Sequence, residues 1–257
     1  MEKEIDFSRC TSIKIGPVKN VYIIDEIEPL KEGFFLIGGG NNLLISPNPP
    51  PLAMLSKKFD FIKDEEGILR VGAATNGGKL LSYAKKHDIA GFELLQKLPG
   101  TLGGMVKMNA GLKEFCVSDN LKSILTHKGW IDKKDIDFSY RNSDINGVIY
   151  EILFEKKAGF DHEKLEIFKN MRKNQPSKPS AGSCFKNPPN DYAGRLLEQA
   201  GFKGKRAGGM AFSDVHANFL VNLGGGTYDE AIELIREAQR AVLEKFHINL
   251  ELEIRIV

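Results

Sequence analysis

Three consecutive glycines between two apolar β-type runs, in LIGGGNNLLI over residues 36–45, constrain this chain more than any other feature of its sequence. Each glycine can take φ > 0 and lets backbone N–H groups approach a ligand with no Cβ in the way, which suits a phosphate. The run is not the dinucleotide fingerprint, because counting GxGxxG from Gly38 puts Leu43 where the third glycine belongs; nor is it a P-loop, because no GK[ST] follows. A second run, LPGTLGGMVKMNAG over residues 98–111, adds Gly100, Gly103, Gly104 and Gly111, with Thr101 and Asn109 as side-chain hydrogen-bonding groups. One such run reads equally well as a strand connection. Two in one α/β unit suggest the two sides of a pyrophosphate cradle built from neutral N–H groups.

The texture around these runs changes twice, giving three segments: 1–51, 52–160 and 161–257. In the first, residues 21–24 and 34–37 read as strands, and the cluster Pro47, Pro49, Pro50 and Pro51 stops any regular element. In the second, strands at 68–71 and 148–154 flank a helix at 78–87, the pattern of a packed sheet with helices. A charged stretch with a helical pattern at 164–172 crosses into the third segment. There Thr227 and Glu230 form a capping box for a helix whose apolar stripe is Ile232, Ile235, Ala238, Val242 and Phe246. Alternation over 250–257 predicts a closing strand with Glu251 and Glu253 on one face. The fold class expected is α+β.

Charge excludes some functions. With 36 basic and 34 acidic residues the chain offers no field for gripping nucleic acid or an anionic membrane. No apolar run approaches the ~20 residues of a membrane span, and the acidic start is unlike a signal peptide, so a cytoplasmic protein is expected. Cys10, Cys116 and Cys184 match neither a disulfide framework nor a zinc site, so no metal is expected. Nothing points to an obligate protein partner.

TSIKIG (11–16), IGGGNNLL (37–44), GFELLQKLPGTLGGMVKMNAG (91–111) and YRNS (140–143), in that order, resemble the FAD-binding half of the UDP-N-acetylenolpyruvoylglucosamine reductases. AGSCFKNP (181–188), YAGRLLEQAGFKGKRAGG (192–209), HANFLVN (216–222) and LELEIRI (250–256) are similar to that family's substrate half, so the resemblance spans nearly the whole chain. It implies a two-subdomain FAD-binding fold of the vanillyl-alcohol-oxidase type with a C-terminal α+β substrate-binding domain. It also implies noncovalent FAD, NADPH as co-substrate, and reduction of an enolpyruvyl UDP-sugar to UDP-N-acetylmuramate for peptidoglycan. The FAD residues carried over are Gly38, Gly39, Gly40, Asn41, Asn42, Pro99, Gly100, Thr101, Gly103, Gly104, Asn109 and Ala110. Lys186 and Asn187, with Tyr140 and Gln175, are implied for the substrate's diphosphate and uridine.

Hydride addition at the enolpyruvyl C3 leaves negative charge on C2 and its carboxylate, so the reaction needs a cation, polar donors and an acid. The resemblance assigns these roles to Arg141, Glu253 and Ser183. Taken alone, Arg141 is a surface salt bridge, Ser183 a turn residue, and Lys186 and Asn187 ordinary turn residues. Cys184 is a rival proton donor because a thiol is far more acidic than a serine hydroxyl. Spacing cannot separate Glu251 from Glu253. Asn41 stands where the family usually has Ser, GAAT (72–75) lacks a glycine often found there, and Met105 replaces a small residue. The short link between YRNS and AGSCFKNP leaves no room for the tyrosine loop of longer members, so the chain resembles the shorter type. An oxidase of the same flavin-binding superfamily is the competing enzyme class, although the first histidine, His87, lies far from the first glycine run. A nucleotide-binding regulatory module without turnover is the third reading.

Overall fold

The computed structural model describes residues 1–257, and contacts divide them into two units: 1–3, 21–39 and 51–173 in the first, and 4–20, 40–50 and 174–257 in the second. The chain therefore passes between units several times instead of running through three consecutive segments. Leu52–Leu55 explains part of this, because it pairs in parallel with both Val18–Ile24 and Phe35–Ile37. The proline cluster precedes that strand without ending the sheet. At the other boundary, the helix His162–Met171 buries Leu165 and Phe168 in the first unit's core, so the passage falls after Lys173 and not near 160.

The first unit also contains an antiparallel sheet in the order Gly129–Asp132, Leu121–Thr126, Glu151–Glu155, Ile68–Gly72 and Ile62–Glu65. Leu69, Val71, Ile124, Ile152 and Phe154 point from it into a core shared with Leu80 and Ala84 of the helix Gly77–Lys86 and with Leu102 and Val106. Period-two alternation on strands and the i, i+4 pair on the helix put these residues on one side. Asn76 caps that helix, its Oδ1 accepting from the Gly78 N–H at 2.8 Å.

In the second unit an antiparallel sheet runs in the order Ser180–Ser183, Phe219–Asn222, Met210–Phe212 and Arg206–Ala207. The helix Tyr228–Phe246 packs on its side of this core and starts with the expected capping box: Glu230 N–H donates to Thr227 Oγ1 at 3.3 Å, and Thr227 N–H donates to the Glu230 carboxylate at 2.9 Å. Its buried stripe is Ala231, Leu234, Ile235, Ala238 and Val242, while Ile232 and Phe246 are only partly buried. The stripe centre is thus turned from the one read from sequence, toward Ala231, Leu234 and Ala238. Ile13 and Ile15 of TSIKIG, read as part of the FAD half, lie in this second core with Phe185, Phe212 and Leu234.

The closing segment departs from its expected strand. Only Arg255–Ile256 forms a ladder, parallel to Leu43–Leu44, while Leu252 makes a single bridge to Phe185. The segment changes partner part-way: Lys186 N–H donates to Glu251 C=O at 2.8 Å, Glu253 N–H to Cys184 C=O at 2.9 Å, and Arg255 N–H to Asn42 C=O at 2.9 Å. Leu250 and Ile254 are buried four residues apart, which a regular alternation would have placed on the same face as Leu252. No helix is long and apolar enough to cross a membrane.

Candidate active site

The two glycine runs meet within the first unit. A Cβ added to Gly38 would stand 2.7 Å from Thr101 Oγ1 and 3.8 Å from Gly104 Cα, so this approach exists only because residue 38 lacks a side chain. Gly103 is needed for the same reason on the other side of its loop, where a Cβ would lie 2.9 Å from that of Ala73. Its N–H donates to Ala73 C=O at 2.9 Å and Leu102 N–H to Thr75 C=O at 2.9 Å, which pins the second run to the end of the strand Ile68–Gly72. Gly100 C=O accepts from Gly77 N–H at 3.0 Å, and Pro99 is exposed. The N–H groups of Gly39, Gly40 and Asn41 donate to no protein acceptor.

Arg141 sits in the two-residue turn of the hairpin Phe138–Ser139 and Asn142–Ser143, with φ of 56° and its guanidinium carbon 5.3 Å from the exposed Tyr140 ring. The second glycine run holds both arms of this hairpin. Asn109 Nδ2 donates to Ser139 C=O at 3.1 Å, and Ser143 Oγ donates to Lys107 C=O at 2.6 Å. Ser118 Oγ donates to Asn109 Oδ1 at 2.8 Å, so the Asn109 amide is used at both ends. Ala110 is buried behind it, its C=O accepting from Val117 N–H at 2.9 Å. Helix, glycine loop and arginine turn form one hydrogen-bonded piece. Arg141 also lowers the otherwise raised pKa of Cys116, where burial is the largest cause and Asp119 adds to it.

Ser183 and Glu253 are carried by the second unit. Ser183 is half-buried and pairs in register with Phe219, and the segment after it is clamped by Asn218. Cys184 N–H donates to Asn218 C=O at 2.7 Å, Phe185 N–H to Asn218 Oδ1 at 3.0 Å, and Asn218 Nδ2 to Phe185 C=O at 2.8 Å. Strand alternation then turns Ser183 outward and Cys184 inward, where the thiol is fully buried. Burial, followed by the nearby Glu253 carboxylate, raises the Cys184 pKa well above the ordinary thiol range. A buried thiol held neutral beside a carboxylate cannot rival Ser183 as a donor to a ligand outside the core. Glu253 is placed beside this segment by its own N–H on Cys184 C=O and by Asn42 Nδ2, which donates to Glu253 C=O at 2.9 Å. The structure also separates the two glutamates: Glu251 is exposed and pairs with Lys186 Nζ at 3.4 Å, whereas Glu253 is half-buried.

Comparison with known proteins bears on this arrangement. Residues 175–257 match the family profile described as "UDP-N-acetylenolpyruvoylglucosamine reductase, C-terminal domain". Over the whole chain and 99% of the relative, 44% of residues are identical to the UDP-N-acetylenolpyruvoylglucosamine reductase of Helicobacter pylori strain J99. The Campylobacter jejuni strain RM1221 protein of the same name is 46% identical, with 98% of this chain and 99% of that one covered. The chain belongs to the UDP-N-acetylenolpyruvoylglucosamine reductase family. It is an enzyme, and its fold is that of the Thermus caldophilus UDP-N-acetylenolpyruvylglucosamine reductase crystal structure, with a TM-score of 0.86, 28% identity, and 100% and 98% of the two chains covered.

Other residues carried over from the UDP-N-acetylenolpyruvoylglucosamine reductases have structural partners. Asn187 Oδ1 accepts from Ala193 N–H at 3.1 Å at the start of the helix Ala193–Gln199, so its side chain fixes a helix entry. Gln175 is exposed, and Lys186 is half-buried beside Glu251. Sequence reasoning passed over two residues. Asn218 lay inside HANFLVN with nothing to mark it as the clamp behind Ser183. Arg172 lay in the charged stretch that crosses into the third segment, with nothing to mark it as buried, yet it is 6% exposed.

Proposed function

We propose that this enzyme binds FAD noncovalently, takes electrons from NADPH, and reduces UDP-N-acetylglucosamine enolpyruvate to UDP-N-acetylmuramate for peptidoglycan precursor synthesis. The observation that carries the reading is the approach of Gly38 to Thr101 and Gly104, which joins two distant glycine runs into one backbone surface with donor groups to spare. That surface suits the flavin nucleotide's pyrophosphate, with residues 38–42, Thr101, Gly103 and Gly104 as its ligands. Ala110, buried, and Asn109, engaged on Ser139 and Ser118, support the loop from behind.

FAD, when bound by these residues, would supply the hydride-carrying chemistry between NADPH and the enolpyruvyl C3. The remaining work falls to side chains. As hydride adds to C3, the electron pair of the C2–C3 double bond moves onto C2 and into the carboxylate, and the Arg141 fork binds those carboxylate oxygens where the charge grows. Ser183 Oγ–H gives its proton to C2, leaving the hydroxyl to be reprotonated from solvent. Glu253 provides the polar group beside that transfer, held by Asn42 and by the segment following Ser183. Lys186, Asn187, Tyr140 and Gln175 serve the diphosphate and uridine. A protein acting in the cytoplasm, where UDP-sugars and NADPH are found, fits this chemistry.

An anaerobic colour cycle tests the reading. The purified protein should be yellow, should bleach with NADPH, and should regain colour when the enolpyruvyl UDP-sugar is added. A protein with no affinity for flavin would end the proposal.

A further inference from the structure

Arg172 follows the last residue of the helix His162–Met171 in the first unit and is 6% exposed. Its Nε and Nη2 are buried and have no hydrogen-bond partner. These two N–H groups lie along one edge of the guanidinium and point the same way, the edge that takes two oxygens of one anion side-on. Burial, and after it the like charge of Arg141, lowers the Arg172 pKa to about 10. A buried guanidinium with empty donors and a like charge for a neighbour has no structural use, since such an arrangement destabilises the fold that contains it. It makes sense as a site waiting for charge of the opposite sign.

We propose that Arg172 and Arg141 together seat one two-oxygen anion of the substrate, Arg172 presenting its Nε–Nη2 edge and Arg141 its own fork. This rests on the substrate class given under the proposed function, and it adds a residue that the motif comparison did not assign. Two groups of that substrate have the required chemistry, the enolpyruvyl carboxylate and the diphosphate. The carboxylate is the better fit, because one carboxylate shared by two guanidinium groups satisfies the empty edge at Arg172 and leaves Arg141 engaged at the reacting end.

The test uses FAD-bound protein with Arg172→Met and Arg172→Lys, titrated without NADPH so that binding is read from the flavin absorbance with no turnover. The ligands are UDP-N-acetylmuramate, which carries both anions, and UDP-N-acetylglucosamine, which carries the diphosphate alone. Both variants should weaken UDP-N-acetylmuramate about ten- to a hundredfold, since a lysine cannot make two parallel bonds, with UDP-N-acetylglucosamine changed less than about twofold. Equal weakening of both ligands would place the seat on the diphosphate and keep the proposal. Unchanged affinity for both, with the natural protein binding normally, overturns it. So does a change confined to the flavin's midpoint potential or retention. Failure of the natural protein to bind either UDP-sugar would instead sink the functional reading. Melting of the ligand-free protein separates a structural role: Arg172→Met should melt no lower than the natural chain, and a lower melting temperature with ligand affinity unmoved would make Arg172 a packing residue.

Discussion

Replacing Gly38 with alanine tests the cradle at its narrowest point. Gly38 is not at positive φ, so the substitution carries no backbone strain and its cost comes from contact. The new Cβ would stand 2.7 Å from Thr101 Oγ1. Thr101 makes no side-chain capping bond at the helix Leu102–Lys107, so either its hydroxyl turns out of the place it holds between the loops or the two loops move apart by a few tenths of an ångström. Overpacking of this kind costs about 1–3 kcal/mol, which corresponds to a loss of roughly ten- to a hundredfold in FAD affinity if the separation is felt in the bound state. The contact is specific, so removing Thr101 Oγ1 should relieve it. Thr101→Ala alone should weaken FAD by less than tenfold, and the double variant should lose less than the two single losses multiplied, with a coupling of about 1 kcal/mol or more. Flavin fluorescence titration of the four proteins measures this directly. Multiplicative losses, or a Gly38→Ala protein that holds FAD like the natural one, would refute the idea that these runs form one cradle.

Cys184→Ala should leave the return of flavin colour on substrate addition within about threefold of natural, while thiol labelling of the native protein should reach exposed Cys10 and not Cys184 until the chain unfolds. Asn109→Ala should cost about 1–3 kcal/mol from its two buried hydrogen bonds, measured by denaturant melts. It should weaken UDP-sugar binding more than FAD binding, because its amide supports the Arg141 hairpin. His216 has its pKa lowered, chiefly by burial, and its Nδ1 accepts from Asn218 N–H at 3.2 Å, a role only the unprotonated nitrogen can fill. A base with a depressed folded pKa contributes stability that is present above its unfolded value of about 6.5 and lost as pH falls through the folded value. Melting temperature should therefore drop on acidification from neutral pH, and His216→Gln should flatten that dependence.

Local signals carried much of the fold. The capping box at Thr227 and Glu230 stands where the sequence placed it, because a cap depends only on residues three apart. Alternation correctly located Ile68–Gly72 because both neighbours of that strand are regular. The closing segment defeated the same rule, since its backbone bonds go first to residues 184–186 and then to 42–44, and periodicity does not show which partner a segment will find. Motif order, not spacing, singled out Ser183 and Glu253, and the structure adds the surroundings that spacing withheld: Cys184 is buried with its pKa raised, and Glu251 is exposed and paired with Lys186. Arg172 was illegible because a charged residue in a charged stretch gives no sign of burial, which here arises from tertiary packing around the end of its helix.

Separating the two halves of the reaction in Ser183→Ala tests the central claim most directly. Under anaerobic stopped flow, bleaching of the bound flavin by NADPH should proceed within about twofold of the natural rate, because Ser183 takes no part in that step. The return of colour with enolpyruvyl substrate should slow by about a hundredfold or more, in line with the worth of a positioned proton donor. A second phase as fast as that of the natural enzyme would show that the proton reaches C2 by another route and would contradict the account.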